Sequence, residues 1–480
     1  MRGDRGLAAA VTIVLALLFF STFAQTSLAG RNVSVIDFLV FSCAASVAAA
    51  GEDPYRTAPV AACERRTEDT LGTPPGLRPL TVAPPPVPPA TILLFESLRA
   101  LPYQAALDVD AAIGALACAF AVAGLARLTS LPWWGVATTV GLTGFRENLP
   151  LGQLPPIGLA AFVLAAVAVR SGRPRLAGAL AAVALIQPNV GLPVVAALVI
   201  WVPRARLTAL AGTVAFAAAG LAIGGPPVSL EYATQVVPAQ ALAETSLTTQ
   251  FSLTWALWLA GATGQTAVRI GGLGYAVVVA AAVALAGPLA RRLRDATALV
   301  FLPAAAAVTG GEYVHPNQLC FAVPLGLLLA TAVTPRLRPV AWTAIVLVTM
   351  PFYLEALPVA LLEAALVAVT VRFALPQATL ERRWATGFAA LFAIELALAG
   401  ISHLPTAAVR PADPLPPYLA VSDLTLGVAR RGADDRRNGT LQEASIHAFG
   451  SKLPAWSGLV VLLGLAVRTA KGNQSRAERG

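Results

Sequence analysis

The chain has 480 residues, 57% of them hydrophobic and only 12% charged, with a formal net charge of +9 and a mean hydropathy of +0.71. With about half the charge of an ordinary soluble domain, it cannot coat a soluble surface of that size, which excludes a cytosolic globular enzyme and a disordered scaffold. The excess charge is arginine at the ends of apolar segments, a topology signal and not a phosphate-binding stripe, so nucleic-acid binding is excluded as well.

A helix crossing the hydrocarbon core needs roughly 20 mostly apolar residues. The first such segment is 7–30, preceded by Arg2 and Arg5; a signal peptide is the alternative, but the segment is long, lacks a clean small-x-small cleavage site and is followed by more apolar segments, so it reads as a retained helix. Further spans are expected at 107–126, 131–146, 156–169, 207–224, 270–290, 297–309, 319–334, 339–353, 357–372, 384–402 and 454–468. Arginine clusters lie at Arg127, Arg170/Arg173/Arg175, Arg204/Arg206, Arg291/Arg292/Arg294, Arg336/Arg338, Arg372/Arg382/Arg383 and Arg468 with Lys471. Alternating spans put all of them on one side, which the positive-inside rule makes cytoplasmic, together with both termini. The long segments 31–106, 225–269 and 403–453 are then outer loops.

Segment 176–202 lies between two basic clusters and is too short to cross twice at full length. It is expected to form a short helical hairpin turning at Gln187, Pro188 and Asn189, a break tolerated only where protein or a watery cavity surrounds it. The alternative, one kinked helix, would reverse every later span. No repeat of 20–50 residues is visible, so residues 1–480 read as one all-α polytopic membrane domain. The tract 84–89 is expected to be a stiff extended approach to the next helix.

None of Cys43, Cys63, Cys118 and Cys320 has a CxxC spacing. For Cys43 and Cys63, in the first outer segment, a disulfide and two small buried thiols both remain open. The histidines His315, His403 and His447 show no HExxH or HxH pairing, so no metal site is expected.

Polar residues beside apolar spans are functional candidates by default, and here they gather on the outer side. The first outer segment holds Asp37 in D-F-L-V-F, G-E-D-P-Y at Gly51 to Tyr55, and Glu64. The second outer turn holds Arg146, Glu147, Asn148 and Gln153. The third holds Glu231, Tyr232, Gln235 and Gln250, and the fourth is G-G-E-Y-V-H-P-N-Q at Gly310 to Gln318, with His315. Each has a structural reading beside the functional one: Asp37 as a helix N-cap, Asp53 before Pro54 as a turn, Gln153 as a cap on the following helix, Arg146 with Glu147 as a surface ion pair.

The pattern D-F-L-V-F, a short Ala-rich helix and then G-E-D-P-Y resembles the first outer loop of glycosyltransferase family 87, polytopic enzymes of the GT-C fold that include polyprenyl-phosphate-mannose-dependent mannosyltransferases of phosphatidylinositol mannoside synthesis. The segments L-G-Q-L-P-P at 151–156 and R-P-R-L-A-G-A-L-A-A-V-A-L-I-Q-P at 173–188 are similar to the same family. The resemblance covers roughly residues 30–330. Phe41 stands where the family often has Tyr, prolines follow Gln153 where it has Asn, and Gln187 stands where lysine is frequent.

The resemblance implies a GT-C-type fold with about 12 transmembrane helices plus the short hairpin, and an outer-loop active site. It implies transfer of a sugar, with mannose the family-level expectation, from a polyprenyl-phosphate donor to an envelope glycolipid or glycan acceptor at the extracytoplasmic face of the plasma membrane. By motif position Asp37 matches the family's catalytic aspartate, the general base. Asp53, Tyr55 and Glu64 are then candidates for the acceptor site, Arg146 and His315 for the donor phosphate, and Gln153, Gln187 and Gln318 for sugar hydroxyls. No cofactor or nucleotide-sugar site is expected, and no metal is required, although a carboxylate-rich outer loop could still hold one. The alternative is a transporter or flippase of lipid-linked envelope precursors, which would place polar residues near the bilayer midplane on broken helices.

Overall fold

A computed structural model describes residues 36–72, 85–141, 152–245, 250–311, 314–349 and 446–471. The expected spans 7–30, 357–372 and 384–402, most of the segment 403–453, Arg146 to Asn148 and both chain ends lie outside them. Among the described residues every regular element is helical. Helix α1 (Ile36–Ala49) is followed by α2 (Thr57–Leu71), α3 (Pro89–Glu96), α4 (Tyr103–Thr129) and α5 (Trp133–Gly141). Next come α6 (Pro155–Arg170), α7 (Pro174–Val183), α8 (Pro188–Trp201), α9 (Arg206–Glu231) and α10 (Val237–Glu244). The remainder comprises α11 (Leu253–Leu259), α12 (Gly264–Leu293), α13 (Ala298–Gly310), a 3-10 segment Pro316–Ala322, α14 (Val323–Ala332), α15 (Arg338–Thr349) and α16 (Ile446–Lys471).

Among the described residues, four stretches are long and apolar enough to cross a membrane: Tyr103–Thr129, Pro203–Leu242, Gly264–Leu293 and Lys452–Lys471. They contain expected spans and extend past them. The other expected spans within the described residues are shorter apolar helices, such as α6 and α13. These two are buried along almost their whole length, as expected of helices that are apolar all round. They form the centre, with α4, α7 and α8 packed around them. Small residues allow the close approaches: a Cβ on Gly124 of α4 would lie 2.5 Å from Val163 of α6, so any larger residue would push these helices apart.

The segments expected as the outer loops 31–106 and 225–269 are largely helical where described. Their Ala-rich stretches satisfy backbone hydrogen bonds internally, which any chain near lipid favours. Pro88 caps α3 with φ −61° and ψ 152°, the stiff extended conformation expected for the tract before it. Helix α9 kinks at Gly224 and Gly225, where Gly225 has φ +71°. Pro226 and Pro227 follow, so the chain leaves its first direction and continues through a π turn into α10.

Segment 176–202 forms the hairpin. The backbone breaks after the 3-10 turn Ala184–Ile186, with Gln187 at φ −123° and ψ 84°. A Cβ on Gly178 would fall 2.6 Å from the Ala205 carbonyl oxygen. Residues 27 positions apart thus lie side by side, which one kinked helix of that length would hold roughly 40 Å apart at 1.5 Å per residue. The second arm returns to the level from which the first started, as the flanking arginines required.

That return gathers the arginines at one end. Arg170 donates to the Leu128 carbonyl and pairs with Asp295 at 3.6 Å. Arg291 stacks over the Trp201 ring at 5.3 Å, and Arg206 donates to the Val199 carbonyl at 2.6 Å. Helix α6 runs from this end, at Arg170, to the opposite one, at Pro155, over roughly 24 Å for its 16 residues.

Candidate functional site

At the opposite end, two sequence segments 116 residues apart meet: Gln153 Nε2 donates to Asp37 Oδ2 at 2.7 Å. Asp37 sits in the first turn of α1, half-buried. It is not displayed on a loop. Its helix is fixed by Phe38, which makes edge-on ring contacts to Phe95 and Tyr103 at 6.0 and 5.4 Å, and by Phe41 against Phe95 at 4.9 Å. Gly152 brings Gln153 into place. It has φ +68°, and a Cβ there would lie 2.7 Å from Phe38 Cβ, so the turn that delivers the carboxamide requires glycine twice over, for its dihedral and for its space. Gln153 does not cap α6; the N-cap of that helix is Leu154, with no side-chain hydrogen bond. The pair is a carboxylate with one oxygen oriented by an amide donor, on a rigid element. That is what a positioned proton acceptor needs.

A disulfide joins Cys43 of α1 to Cys63 of α2 with Cα atoms 5.6 Å apart, settling the open choice for these cysteines. Glu64 and Glu68 of α2 are buried next to this staple.

The G-E-D-P-Y turn forms a latch. Asp53 accepts from the Tyr55 backbone N–H at 2.9 Å and from Arg56 Nε at 3.2 Å, which is the structural reading of Asp53 as a turn residue. Arg56 also pairs with Glu231, at 3.2 Å, beyond the α9 kink. Tyr55 is fully buried, stacks on Tyr232 at 5.7 Å and donates its hydroxyl to the Val87 carbonyl at 2.7 Å. Burial first, then the nearby Tyr232, Asp53 and Glu231, push its phenol pKa well up, so Tyr55 stays a donor and is no proton acceptor. Asp53 and Tyr55 therefore tie the first segment to the third.

Gln187 at the hairpin tip is buried. Its Oε1 has no hydrogen-bond partner among the described residues and would stand 3.5 Å from a Cβ on Gly158. The tip is held from two sides, by Thr91 donating to the Ile186 carbonyl at 3.3 Å and by the Tyr275 hydroxyl donating to the Asn189 carbonyl.

A second side-chain cluster lies beyond the tip. His315 Nε2 meets Glu244 Oε2 at 2.8 Å. The His315 ring also accepts from the Gln318 backbone N–H, while Gln318 Oε1 accepts from the His315 N–H at 3.2 Å. One ring nitrogen thus donates and the other accepts. Glu244 further accepts from the Gln240 and Gln250 side chains, and Gln250 Oε1 accepts from the Val314 N–H at 3.0 Å. Lys452 of α16, fully buried, donates to the Gln250 carbonyl.

The candidates thus separate into groups. Asp37 meets Gln153, Asp53 and Tyr55 share the latch, and His315 meets Gln318. Glu64 faces the α1–α2 packing, Gln187 stands at the tip, and Arg146 lies outside the described residues. Arg56, Glu231, Glu244, Gln240 and Lys452 are the members that sequence reasoning did not select. Glu231 and Gln250 were visible as outer polar residues, and Lys452 as one of only two lysines in the chain. Among the described residues, no group of three His, Cys, Asp or Glu side chains is placed to hold a metal ion.

The sequence model of glycosyltransferase family 87 matches residues 87–311. That stretch includes Gln153, Gln187, Glu231 and Glu244, and leaves Asp37, His315 and Lys452 outside. No curated protein and no solved structure matches the chain.

Proposed function

Since the chain belongs to glycosyltransferase family 87 and is a glycosyltransferase embedded among apolar helices, we propose that it moves a sugar, mannose at the family level, from a polyprenyl-phosphate donor to an envelope glycolipid or glycan. The observation that carries this reading is the 2.7 Å bond from Gln153 to Asp37 at the end opposite the arginines. A carboxylate held on a rigid helix and oriented by an amide takes the acceptor hydroxyl proton as its oxygen attacks the anomeric carbon. The anomeric C–O bond breaks on the opposite face, the electron pair leaves on the donor phosphate, and the sugar inverts. Cationic and hydrogen-bonding groups stabilise that leaving phosphate, the role assigned to Arg146 and His315. Gln187, Gln318 and Gln153 hold sugar hydroxyls, and Glu64 with Asp53 and Tyr55 shapes the acceptor side.

The site faces the extracytoplasmic side of the plasma membrane in this reading, with both termini cytoplasmic and about 12 spans in a GT-C-type fold. Two features support the orientation. The arginine-rich end fits the cytoplasmic face, and the Cys43–Cys63 disulfide on Asp37's own helix fits an oxidising compartment. Gathering of the polar pairs at the end opposite the arginines favours the enzyme over a transporter, which the broken hairpin at Gln187–Asn189 alone would suit.

The test is transfer from radiolabelled polyprenyl-phosphate mannose to extracted envelope lipids by purified protein in liposomes, with Asp37→Asn in parallel. Loss of a general base is expected to cut transfer by about 10²–10⁴-fold. A variant that transfers at the wild-type rate overturns the role of Asp37 and moves the base elsewhere, with Asp53 and Glu64 the next carboxylates to test.

A further inference from the structure

We propose that Lys452, with Trp456, is a positioning residue for the transfer: it grips the 250–252 backbone so that Gln250 can orient Glu244 and His315. The C-terminal helix, which the family match does not reach, is then part of the site's frame. The inference rests on the reading that places His315 in that site.

The geometry runs through three separated parts of the chain. From α16, Lys452 Nζ donates to the Gln250 carbonyl, and Trp456 Nε1 donates to the Phe251 carbonyl at 2.8 Å. These are the two successive peptide units at the start of the segment leading into α11. The Phe251 N–H in turn donates to the Val314 carbonyl at 2.7 Å, and the Gln250 side chain answers by accepting from the Val314 N–H. Segment 250–251 is therefore bonded to α16 on one side and to residue 314 on the other, one residue before His315. The remaining arm of Gln250 reaches Glu244, whose carboxylate holds His315. Moving the 250–251 peptide would move both partners that fix His315: its neighbour Val314 and its carboxylate Glu244.

The identity of Lys452 needs such a reason. Its amino group is fully buried, 3.8 Å from the Trp255 ring centroid and 5.2 Å from that of Phe251. Among the described residues no carboxylate pairs with it; its hydrogen bond goes to the Gln250 carbonyl. An amine buried without a counter-charge costs stability that a methionine of similar length would not. Ring contacts offset part of that cost. A packing role alone would be filled better by an apolar side chain. What methionine cannot supply is a donor aimed at a buried backbone carbonyl, and that carbonyl belongs to the residue that orients Glu244.

The experiment compares Lys452→Met, and the milder Trp456→Phe, which removes only an N–H, with the wild-type protein in liposomes. Hydrogen exchange is read by mass spectrometry, and transfer from polyprenyl-phosphate mannose is normalised to folded protein. Both variants are expected to speed exchange at least fivefold in two places, 250–256 and 314–322, and to leave 162–206 at the arginine end unchanged. Faster exchange confined to 250–256, or none, overturns the proposal, because a packing role ends at the residues packed. This readout needs no donor, so it stands if the donor assignment fails. Where transfer is measurable, Lys452→Met is expected to lower it at least tenfold, and the double variant with Glu244→Gln to lower it no further than the worse single one. Multiplying losses in the double variant would show that the two residues act independently and would also overturn it.

Discussion

The two ends of the bundle are held by different chemistry. At the Arg170 end, arginines donate to backbone carbonyls in the last turns of helices: Arg170 to Leu128 of α4, Arg206 to Val199 and Ile200 of α8, Arg338 to Thr331 at the end of α14 and to Val333 just past it. At the Asp37 end, side chains meet side chains: Gln153 with Asp37, Arg56 with Asp53 and Glu231, His315 and Gln250 with Glu244. An orphan carbonyl is offered by every helix C-terminus, and a cation there also suits the helix dipole, so the first kind of contact asks little of the rest of the fold. The second kind requires both partners in place at once, with residues up to 175 positions apart. A half-satisfied pair of that kind is worse than none. Such pairs are retained where the arrangement itself is needed, and that is the end to which the enzymatic reading assigns the chemistry.

If this contrast is right, perturbing the frame of the Asp37 end has large effects. The largest expected is on stability. Cys43→Ser with Cys63→Ser opens a loop closed by residues 20 apart, and should cost about 3 kcal/mol on the chain-entropy scale, read as a lowered midpoint in thermal unfolding of the detergent-solubilised protein. A midpoint unchanged by the double substitution would mean that aromatic packing alone fixes α1. Next is Gly152→Ala, where the dihedral and the 2.7 Å approach to Phe38 both resist a methyl group. Displacing Gln153 by about 1 Å should lower transfer roughly 10²-fold while Lys452 and Trp456 keep their bonds. Unaltered transfer would separate Gln153 from the work of Asp37.

The two ends were not equally legible in the sequence. The arginine end could be read because apolar runs stopped by arginines carry a one-dimensional signal, and the hairpin followed from it: residues 176–202 cannot cross twice between two basic clusters. At the other end single residues stood out, Asp37 before an apolar helix and Gln153 before two prolines, but their meeting depends on the left-handed turn at Gly152. The Glu244 cluster was legible only in pieces for a related reason. His315, Gln318 and Gln250 stand out singly as outer polar residues, but the parts lie at 240–250, 314–318 and 452, and nothing in the sequence joins them. Of the helices inside the expected outer loops, the sequence shows the short Ala-rich one that became α1, but not α2 or α10, because their polar residues suggest loop, whereas such a chain bonds its own backbone and carries its polar side chains on the helix surface.

A smaller effect is expected in the hairpin. A Cβ on Gly191 would meet the Ala184 carbonyl oxygen at 2.6 Å, a backbone atom with nowhere to go, so Gly191→Ala should spread the arms where they leave the tip. Overpacking of this kind costs about 1–3 kcal/mol, and the value here should fall near 2, since only one methyl group is added. Transfer should fall with stability, because Gln187 sits on the part that shifts. Stability lost with transfer per folded molecule intact would remove the tip from the site.

The smallest effect is expected at the opposite end. Arg170 is 46% exposed in its pairing with Asp295, so the ion pair contributes about 0–1 kcal/mol. The bond to the Leu128 carbonyl adds a share that water can replace, since the group remains within reach of solvent. Arg170→Gln keeps a donor for that carbonyl and removes the charge. It should shift the unfolding midpoint by a degree or two and leave transfer per folded molecule within twofold. The sharper measurement is orientation: with Arg173 and Arg175 still beside it, one lost charge should leave the chain's sidedness unchanged, read by labelling single cysteines introduced at each end in intact cells. A drop in transfer as large as that of Gly152→Ala, with orientation kept, would break the comparison, because it would mean that chemistry at the Asp37 end depends on capping contacts roughly 24 Å away along α6.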